Sequence, residues 1–470
     1  MNVPHLETPT NAMPKGLLKG WVIIIIATLL SLSLYQVLPY DENANKGLSL
    51  LLFIAILWLT EAIHITITAL LIPVLAVLIG MPSESKGELV PISTSKALST
   101  FADPIIFLFF GGFALATALH IQKLDRKIAM WIISMSRGHL GISVLTIFLV
   151  TAILSMWISN TATAAMMLPL ALGLLSHLDV AKERKTFVFI LLGIAYSASI
   201  GGLGTLVGSP PNAIAAKALD YDFTDWMRIG LPMMLLILPA MLVSLYLVLR
   251  PKLNHKVEFK TEHIPWTKMR IATMLLFIGT ALAWIFSKSL SESFGISQPD
   301  TWVALSAACL VVILGTATWK DIADNTDWGV LMLFGGGLTL SAVLKDSGTS
   351  LVLGQTLANA FGDASPLLII IIVAAFIIFL TEFTSNTASA ALLVPVFAAI
   401  ADQMGMPKEI LVIVIGIGAS CAFMLPVATP PNAIVFGTGF VQQSEMMKVG
   451  FILNILCIAL VSSFVYLFFI

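Results

Sequence analysis

The chain has 470 residues, of which 58% are hydrophobic and 11% are charged, and its formal net charge is −1. A soluble domain carries about 25% charged residues, so this composition excludes a protein whose surface is covered by water. The near-neutral charge also gives no reason to expect a nucleic-acid partner. The sequence therefore predicts an all-α polytopic membrane protein, whose apolar runs each cross a bilayer.

The first apolar run, Leu17–Leu38, is long enough to span a bilayer. It exceeds the core of a signal peptide, about 7–15 residues, and no A-x-A-like cleavage site follows it. We interpret it as the first transmembrane helix. The remaining apolar runs predict further spans and two re-entrant hairpins, in chain order Gly47–Ile63, Thr66–Gly80, Pro104–Leu119, Gly141–Leu178 (hairpin), Thr186–Ala218, Ile229–Leu249, Ile271–Phe286, Thr301–Gly315, Trp328–Leu344, Pro366–Asp402 (hairpin), Ile410–Phe440 and Gly450–Ile470.

The distribution of Lys and Arg sets the predicted orientation. With a cytoplasmic N-terminus, 17 of the 25 basic residues fall on the cytoplasmic side, six of them between Arg250 and Arg270. This count favours two hairpins, one opening inward and one outward, over two additional simple spans. It gives about eleven spans and a periplasmic or extracellular C-terminus.

Two motifs recur along the chain. The run Leu154–Leu170 matches Leu380–Val396 at 8 of 17 positions, and Val207–Ile214 matches Val427–Ile434 at 6 of 8. A Gly-Gly pair at Gly111 precedes the first set, and its counterpart at Gly335 precedes the second. Each repeat then contains five spans and one hairpin, and an odd number of spans turns the second copy upside down. Inverted repeats are typical of secondary transporters, with the binding site at the repeat interface.

The repeated motifs place polar breaks inside apolar runs. Backbone groups freed by Ser-Asn-Thr or Pro-Pro-Asn are tolerated in a bilayer only where they line protein or a wet cavity. The N–H groups that begin the following half-helix suit an anion. Carbonyls that end the preceding half-helix, with hydroxyl and amide oxygens, suit a hard cation. Four such half-helix ends could form two symmetric cation sites around one anion.

Other polar or small residues in the spans have weaker assignments. The Gly-Gly pairs favour close helix packing over ligand contact. Glu382 lies inside an apolar run three residues before Ser385, and its repeat counterpart is Met156. A structural hydrogen bond and a functional role both remain open for Glu382. The three cysteines, Cys309, Cys421 and Cys457, read as small buried hydrophobes without disulfide or metal spacing.

The paired Ser-Asn-Thr motifs, followed by "GSPPNAIA" and "ATPPNAIV", resemble those of the divalent-anion/sodium symporter family, which includes the bacterial INDY-type sodium/dicarboxylate cotransporters. The resemblance covers nearly the whole chain. It implies a homodimer in the bacterial inner membrane, in which a transport domain moves substrate past a scaffold domain as an elevator. We expect an N-terminal helix at 1–40, a first repeat at 41–250, a cytoplasmic linker at 251–270 and a second repeat at 271–470. The transport domain would comprise 140–250 and 365–470, and the scaffold 15–139 and 271–364.

The resemblance also implies roles for individual residues. The first sodium site would use Ser155, Ser159, Asn160 and Gly208, and the second Thr381, Thr384, Asn386 and Ala428. The substrate carboxylates would meet Asn160, Thr161, Ser209, Pro210, Asn386, Thr387, Thr429 and Pro430. Ile158 stands where Thr384 stands in the other copy, which is harmless if that position contributes only its carbonyl.

The predicted function is sodium-coupled import of a C4-dicarboxylate such as succinate. Neutral oxygens at the sites favour sodium over protons, and two equivalent half-sites favour a ligand with two anionic ends. An exchanger remains an alternative to a symporter, and citrate and sulfate are not excluded as substrates. The sequence alone distinguishes a channel from a transporter poorly, because re-entrant loops occur in both. A membrane-embedded enzyme is disfavoured, because the spans lack a metal-spaced His/Asp/Glu cluster and Glu382 has no second partner.

Overall fold

The structure, a computed structural model, describes residues 15–85, 87–134, 139–176, 178–254, 264–361 and 364–470. Part of the predicted linker at 251–270 therefore lies outside the described residues, including Lys256. Within the described ranges the chain is predominantly helical, as the apolar runs predict.

The first half of the chain forms eleven α-helices within the described ranges. They are α1 (Lys15–Val37), α2 (Glu42–Thr60), α3 (Ile65–Leu78), α4 (Thr94–Leu98), α5 (Pro104–Ile121), α6 (Leu124–Ser134), α7 (Leu140–Ser155), α8 (Asn160–Leu175), α9 (Val180–Gly201), α10 (Pro210–Leu219) and α11 (Phe223–Leu249).

The second half likewise forms eleven helices in the part of the chain that the structure describes. They are α12 (Lys268–Ile285), α13 (Ser287–Phe294), α14 (Pro299–Ile313), α15 (Trp319–Asn325), α16 (Trp328–Asp346), α17 (Thr349–Phe361), α18 (Pro366–Leu380), α19 (Asn386–Gln403), α20 (Lys408–Gly418), α21 (Pro430–Phe436) and α22 (Gln443–Phe469).

The prediction of an all-α protein needs one correction. Strands β1 (Pro82–Ser85) and β2 (Glu88–Pro91) form an antiparallel hairpin between α3 and α4. Its turn contains Gly87 with a φ of 84°, a conformation that glycine adopts without steric cost. Four residues per strand in a polar segment give too short a pattern for a strand prediction.

Eight helices of the described residues are long and apolar enough to cross a membrane, or nine if the bent pair α13–α14 counts as one span. The molecule is therefore a multi-pass membrane protein. The predicted total of eleven also needs α3, with 14 residues, and the interrupted segment α20–α21, so it remains a prediction.

The polar motifs interrupt the helices where the sequence places them. Ser159 caps α8 by accepting from the N–H of Ala162, and Ser385 caps α19 in the same way through Ala388. Pro210 begins α10 and Pro430 begins α21, at the first turn where a missing N–H costs no helical hydrogen bond. Each repeat thus contains a helix pair joined at Ser-Asn-Thr and a broken helix resumed at Pro-Pro.

The two repeats pack against each other in a crossed arrangement. Helix α10 of the first repeat packs against α19 and α20 of the second, and α21 packs against α8 and α9 of the first. The Gly-Gly pairs serve close packing: a Cβ at Gly111 would lie 2.4 Å from the carbonyl oxygen of Ala304, and one at Gly336 equally near that of Ala69. The hairpin of each repeat therefore lies beside the broken helix of the other.

We predict that α13, which precedes α14, is external and that the segment after α14 is cytoplasmic. Single cysteines replacing the exposed Glu292 and Lys320 would report this in a variant lacking Cys309, Cys421 and Cys457. A membrane-impermeant maleimide should label the cysteine at 292 in intact cells, and that at 320 only after permeabilisation. Labelling at 320 in intact cells, without labelling at 292, would contradict the orientation.

Candidate ion and substrate site

The break of the first hairpin brings several oxygens together. Ser155, the last residue of α7, donates through Oγ to the carbonyl of Ala198 at 2.6 Å, and its Oγ lies 2.7 Å from Asn160 Oδ1. The Oδ1 atom of Asn160 also lies 3.1 Å from the carbonyl oxygen of Ala198 and 3.3 Å from that of Gly208, and both of these oxygens are hydrogen-bond acceptors. A rotated amide would direct its nitrogen at the same oxygens. Oxygens converging in this way are the environment that a small cation requires.

Two glycines make this convergence possible. A Cβ at Gly202 would lie 2.5 Å from Asn160 Oδ1 and 3.0 Å from the Gly208 oxygen. A Cβ at Gly208 would lie 2.5 Å from the Gly202 oxygen. The unwound segment after α9 therefore folds back on itself at these two glycines and lies against the Asn160 side chain, with no room for a Cβ at either position.

Buried side chains hold this unwound segment in place. Asn212 donates through Nδ2 to the carbonyls of Gly202 at 2.8 Å and Thr205 at 2.7 Å. The Thr205 hydroxyl donates to the carbonyl of Met156, within the hairpin break, and accepts from the Gly208 N–H at 3.2 Å. Some of the carbonyls that the break frees therefore accept hydrogen bonds from buried side chains. An apolar environment requires such partners, because it offers no water.

The second hairpin repeats the first arrangement. Thr381 Oγ1 lies 2.6 Å from Asn386 Oδ1 and 2.9 Å from the carbonyl oxygen of Ala419. These contacts correspond to those that Ser155 makes in the first repeat. Asn432 donates through Nδ2 to the carbonyls of Ala422 at 3.2 Å and Leu425 at 3.0 Å, matching the contacts of Asn212.

Thr384 is one of the places where the two halves differ. Its hydroxyl lies 2.7 Å from Ser389 Oγ and donates to the Leu380 carbonyl at 3.0 Å, and the residue is 8% exposed. Ile158, at the corresponding position of the first repeat, has no side-chain polar atom. The Thr384 hydroxyl is therefore engaged within its own hairpin.

The remaining predicted site residues surround these breaks. Asn160 and Asn386 begin α8 and α19, where Thr161 is exposed and Thr387 half-buried. Ser209 and Thr429 occupy the N-cap positions of α10 and α21, before Pro210 and Pro430, and of the two only Thr429 accepts a capping hydrogen bond. Ser159 is exposed, whereas Ala428 is 8% exposed.

A side-chain contact joins the two repeats at the site. Ser209 Oγ of the first repeat lies 3.3 Å from Ser420 Oγ of the second. Both side chains are buried, so this pair belongs to the interior of the repeat interface. The predicted residues of the two half-sites therefore lie on elements that contact each other across the chain.

Sequence reasoning missed several residues that shape these half-sites. They comprise one glycine, one hydroxyl, two side-chain amides and two main-chain carbonyls that accept hydrogen bonds at helix ends, namely Gly202, Thr205, Asn212, Asn432, Ala198 and Ala419. A usable signal existed for the two asparagines, because both Pro-Pro-Asn motifs end in Asn.

The profile of the sodium:sulfate symporter transmembrane region matches residues 17–470. The chain belongs to the sodium:sulfate symporter family. The resemblance inferred from the paired motifs is confirmed.

Three related proteins align with nearly the whole length of this chain. An uncharacterised transporter of Haemophilus influenzae is 57% identical over 458 residues, covering 96% of this chain and 97% of that protein. An uncharacterised transporter of Methanocaldococcus jannaschii is 39% identical, covering 89% and 92%. The sodium-dependent dicarboxylate transporter SdcS of Staphylococcus saprophyticus is 32% identical, covering 96% and 91%.

A solved structure shares the fold. The YdaH transporter of Alcanivorax borkumensis superposes with a TM-score of 0.58, covering 86% of this chain and 98% of that chain at 12% identity. At this identity the likeness concerns the fold alone.

We predict that Gly202→Ala destabilises the protein. The added Cβ must displace Asn160 or the backbone at Gly208, and such overpacking costs about 1–3 kcal/mol. Thermal unfolding of the purified protein in detergent should show a lower midpoint. Gly173→Ala in α8 is the matched control, because a Cβ there meets nothing within 4 Å. An unchanged midpoint for Gly202→Ala would contradict the close approach.

Proposed function

We propose that this protein is a sodium-coupled secondary transporter that imports C4-dicarboxylates such as succinate. The observation that carries the proposal is the oxygen cluster at Ser155 and Asn160, and its repetition at Thr381 and Asn386. Family membership and the 32% identity to a sodium-dependent dicarboxylate transporter support the same function.

Sodium fits the chemistry of both clusters. Their groups are neutral hydroxyl, amide and carbonyl oxygens, which bind a hard cation without exchanging a proton. No group of three or more His, Cys, Asp or Glu side chains could hold a metal ion among the described residues, so a transition-metal centre finds no support there. Two clusters would give at least two sodium ions per substrate.

A dicarboxylate fits the half-helices that begin at the breaks. The N-termini of α8 and α19 offer N–H groups and positive dipole ends to an anion. Helices α10 and α21 begin with Pro-Pro, which carries no N–H, so they would contribute positive dipole ends beside the hydroxyls of Ser209 and Thr429. Because each hairpin packs against the broken helix of the other repeat, one ligand with two anionic ends could use both halves.

Radiolabelled uptake into proteoliposomes tests this function directly. Succinate should accumulate when an inward sodium gradient is imposed and should not when choline replaces sodium. Competition by unlabelled succinate, citrate and sulfate would rank the anions. Uptake that ignores sodium but requires internal succinate would instead identify an exchanger, and uptake that does not saturate would indicate a channel.

We predict that Asn160→Ala and Asn386→Ala each severely reduce sodium-dependent uptake. Each substitution removes the amide that lies at the centre of one oxygen cluster, at 2.7 Å from Ser155 Oγ or 2.6 Å from Thr381 Oγ1. Elution on size-exclusion chromatography should match that of the parent protein, which we propose is a homodimer. Near-normal uptake by either variant would remove that residue from the site.

We further propose that both hairpins and both broken helices move together as an elevator in the inner membrane. The moving set would be 140–250 and 365–470, and the fixed set 15–139 and 271–364. Ser209 and Ser420 join the two halves of the moving set. Ser155 and Thr381 of the hairpins contact the carbonyls of Ala198 and Ala419, so opening one hairpin alone would separate these groups. The boundary between the sets includes an ion pair, in which Lys217 Nζ lies 3.0 Å from Asp103 Oδ2.

A cysteine pair across this boundary should stop transport. A Cβ at Gly337 of α16 would lie 3.1 Å from Ala391 Cβ of α19, close to disulfide geometry. Gly337→Cys with Ala391→Cys, in a variant lacking the native cysteines, should lose uptake on oxidation and regain it on reduction.

A second cysteine pair controls for oxidation itself. Thr100 and Thr339 both belong to the fixed set, and their hydroxyl oxygens lie 2.7 Å apart. Thr100→Cys with Thr339→Cys should form the same bond and continue to transport. If fully cross-linked Gly337→Cys/Ala391→Cys protein transported at the parent rate, the elevator movement would be wrong for this protein.

A further inference from the structure

Glu382 is a buried carboxylate surrounded by N–H donors. It is 1% exposed and follows directly after Thr381, in the break of the second hairpin. Its Oε1 accepts from the N–H of Phe423 at 2.7 Å and from that of Met424 at 2.9 Å. Its Oε2 accepts from Met424 at 3.0 Å and from Leu425 at 3.1 Å.

A side-chain amide completes the shell around this carboxylate. Asn454 of α22 donates through Nδ2 to Glu382 Oε1 at 2.7 Å. Among the described residues, no Lys, Arg or His pairs with Glu382. Three successive backbone N–H groups form a concave anion-binding nest, and here the anion is a side chain of the protein itself.

The segment bound by Glu382 is held from other directions as well. Asn432 donates to the carbonyls of Ala422 and Leu425, and the Tyr196 hydroxyl donates to the carbonyl of Phe423 at 2.6 Å. This segment joins α20 to α21 and leads to the candidate residues Ala428 and Thr429. Its conformation therefore determines where the second half-site lies.

The first repeat also links its unwound segment to its hairpin, but there the side chain belongs to the unwound segment and the main-chain group to the hairpin. Met156 and Thr205 occupy the positions of Glu382 and Leu425. There a side-chain hydroxyl of the unwound segment donates to a main-chain carbonyl of the hairpin. In the second repeat a side-chain carboxylate of the hairpin accepts main-chain N–H groups of the segment. Both repeats thus fasten the unwound segment to their own hairpin.

We propose that Glu382 is a positioning residue for the second sodium half-site, a proposal that rests on the proposed function. It acts through the backbone of 423–425 and not as a ligand. Four donors fill the acceptor positions of its two oxygens, and none is left for a cation. Glu382 thereby combines the structural hydrogen bonding and the functional role that the sequence leaves open.

The charged form of the side chain is the one that fits this environment. A carboxylate accepts on both oxygens, whereas the amide of a glutamine would turn two protons toward N–H donors. Glu382→Gln keeps the shape and loses the bonds at one oxygen. Glu382→Asp keeps both oxygens on a stem that is one methylene shorter.

The test measures sodium binding apart from folding. The sodium concentration that gives half-maximal succinate uptake is determined in proteoliposomes, and the sodium-dependent rise in unfolding temperature is determined in detergent, with choline as the control ion. For Glu382→Gln we expect a half-maximal sodium concentration raised about 10–100-fold, the usual loss when a group that orients metal ligands is removed. Glu382→Asp should recover part of this loss.

Asp125→Asn is the matched control. Asp125 is 4% exposed and accepts from the N–H of Arg126, but it lies on α6 of the fixed set. Its sodium constant should stay within about twofold of the parent value. If Glu382→Gln lowers only yield and unfolding temperature while its sodium constant equals that of the parent, Glu382 is structural and the proposal is overturned.

Two further measurements, on Asn454→Ala and on the parent protein, allow the proposal to be tested even if Glu382→Gln does not fold. If Glu382→Gln does not fold, Asn454→Ala removes one donor and should raise the sodium constant about threefold. An unchanged constant for Asn454→Ala would then overturn the proposal. If the parent protein shows no sodium-dependent uptake and no sodium-dependent stabilisation, the proposed function fails and this proposal fails with it. A sodium-dependent parent with an unaffected Glu382→Gln refutes the Glu382 role alone.

Discussion

The architecture depends on one constraint: backbone N–H and C=O groups inside a bilayer must find partners within the protein. A continuous helix meets this constraint locally, but a helix broken at Ser-Asn-Thr or Pro-Pro-Asn does not. The freed groups are taken up by buried side chains, such as Asn212 in the first repeat and Asn432 in the second. A protein whose membrane helices are broken in this way must therefore also supply a set of polar side chains around each break.

The two repeats solve this problem with different residues. The first relies on Gly202 and Gly208 for close backbone approach and on the Thr205 hydroxyl for a link to its hairpin. The second carries Ala422 and Ala428 at the matching positions and uses the Glu382 carboxylate instead. Because the two repeats reach similar geometry with different residues, the two proposed cation sites need not bind sodium with the same affinity. It also explains why a carboxylate occurs on one side of the symmetry only.

Sequence reasoning captured the elements that depend on local pattern. Apolar runs predict the long helices, and the paired motifs predict where they break, because proline and capping serines act on their own neighbourhood. It did not capture contacts that join distant segments. The Ser155 bond to the Ala198 carbonyl and the Glu382 bonds to 423–425 depend on how helices pack, and no spacing in the chain encodes them. The β-hairpin was missed because four-residue strands carry too little periodicity.

The crossed packing of the repeats has a consequence for synthesis in the membrane. Ser209 and Ser420, which meet in the folded protein, are 211 residues apart in the chain. At about 5–20 residues per second, the ribosome needs about 10–40 s to produce the second after the first. In the finished molecule every residue of α9 from 186 to 201 is buried. Throughout that interval α9 lacks the second-repeat helix α21 that packs on it. The first half must therefore remain beside lipid or an insertion factor, without the helices of the second repeat, until these are synthesised.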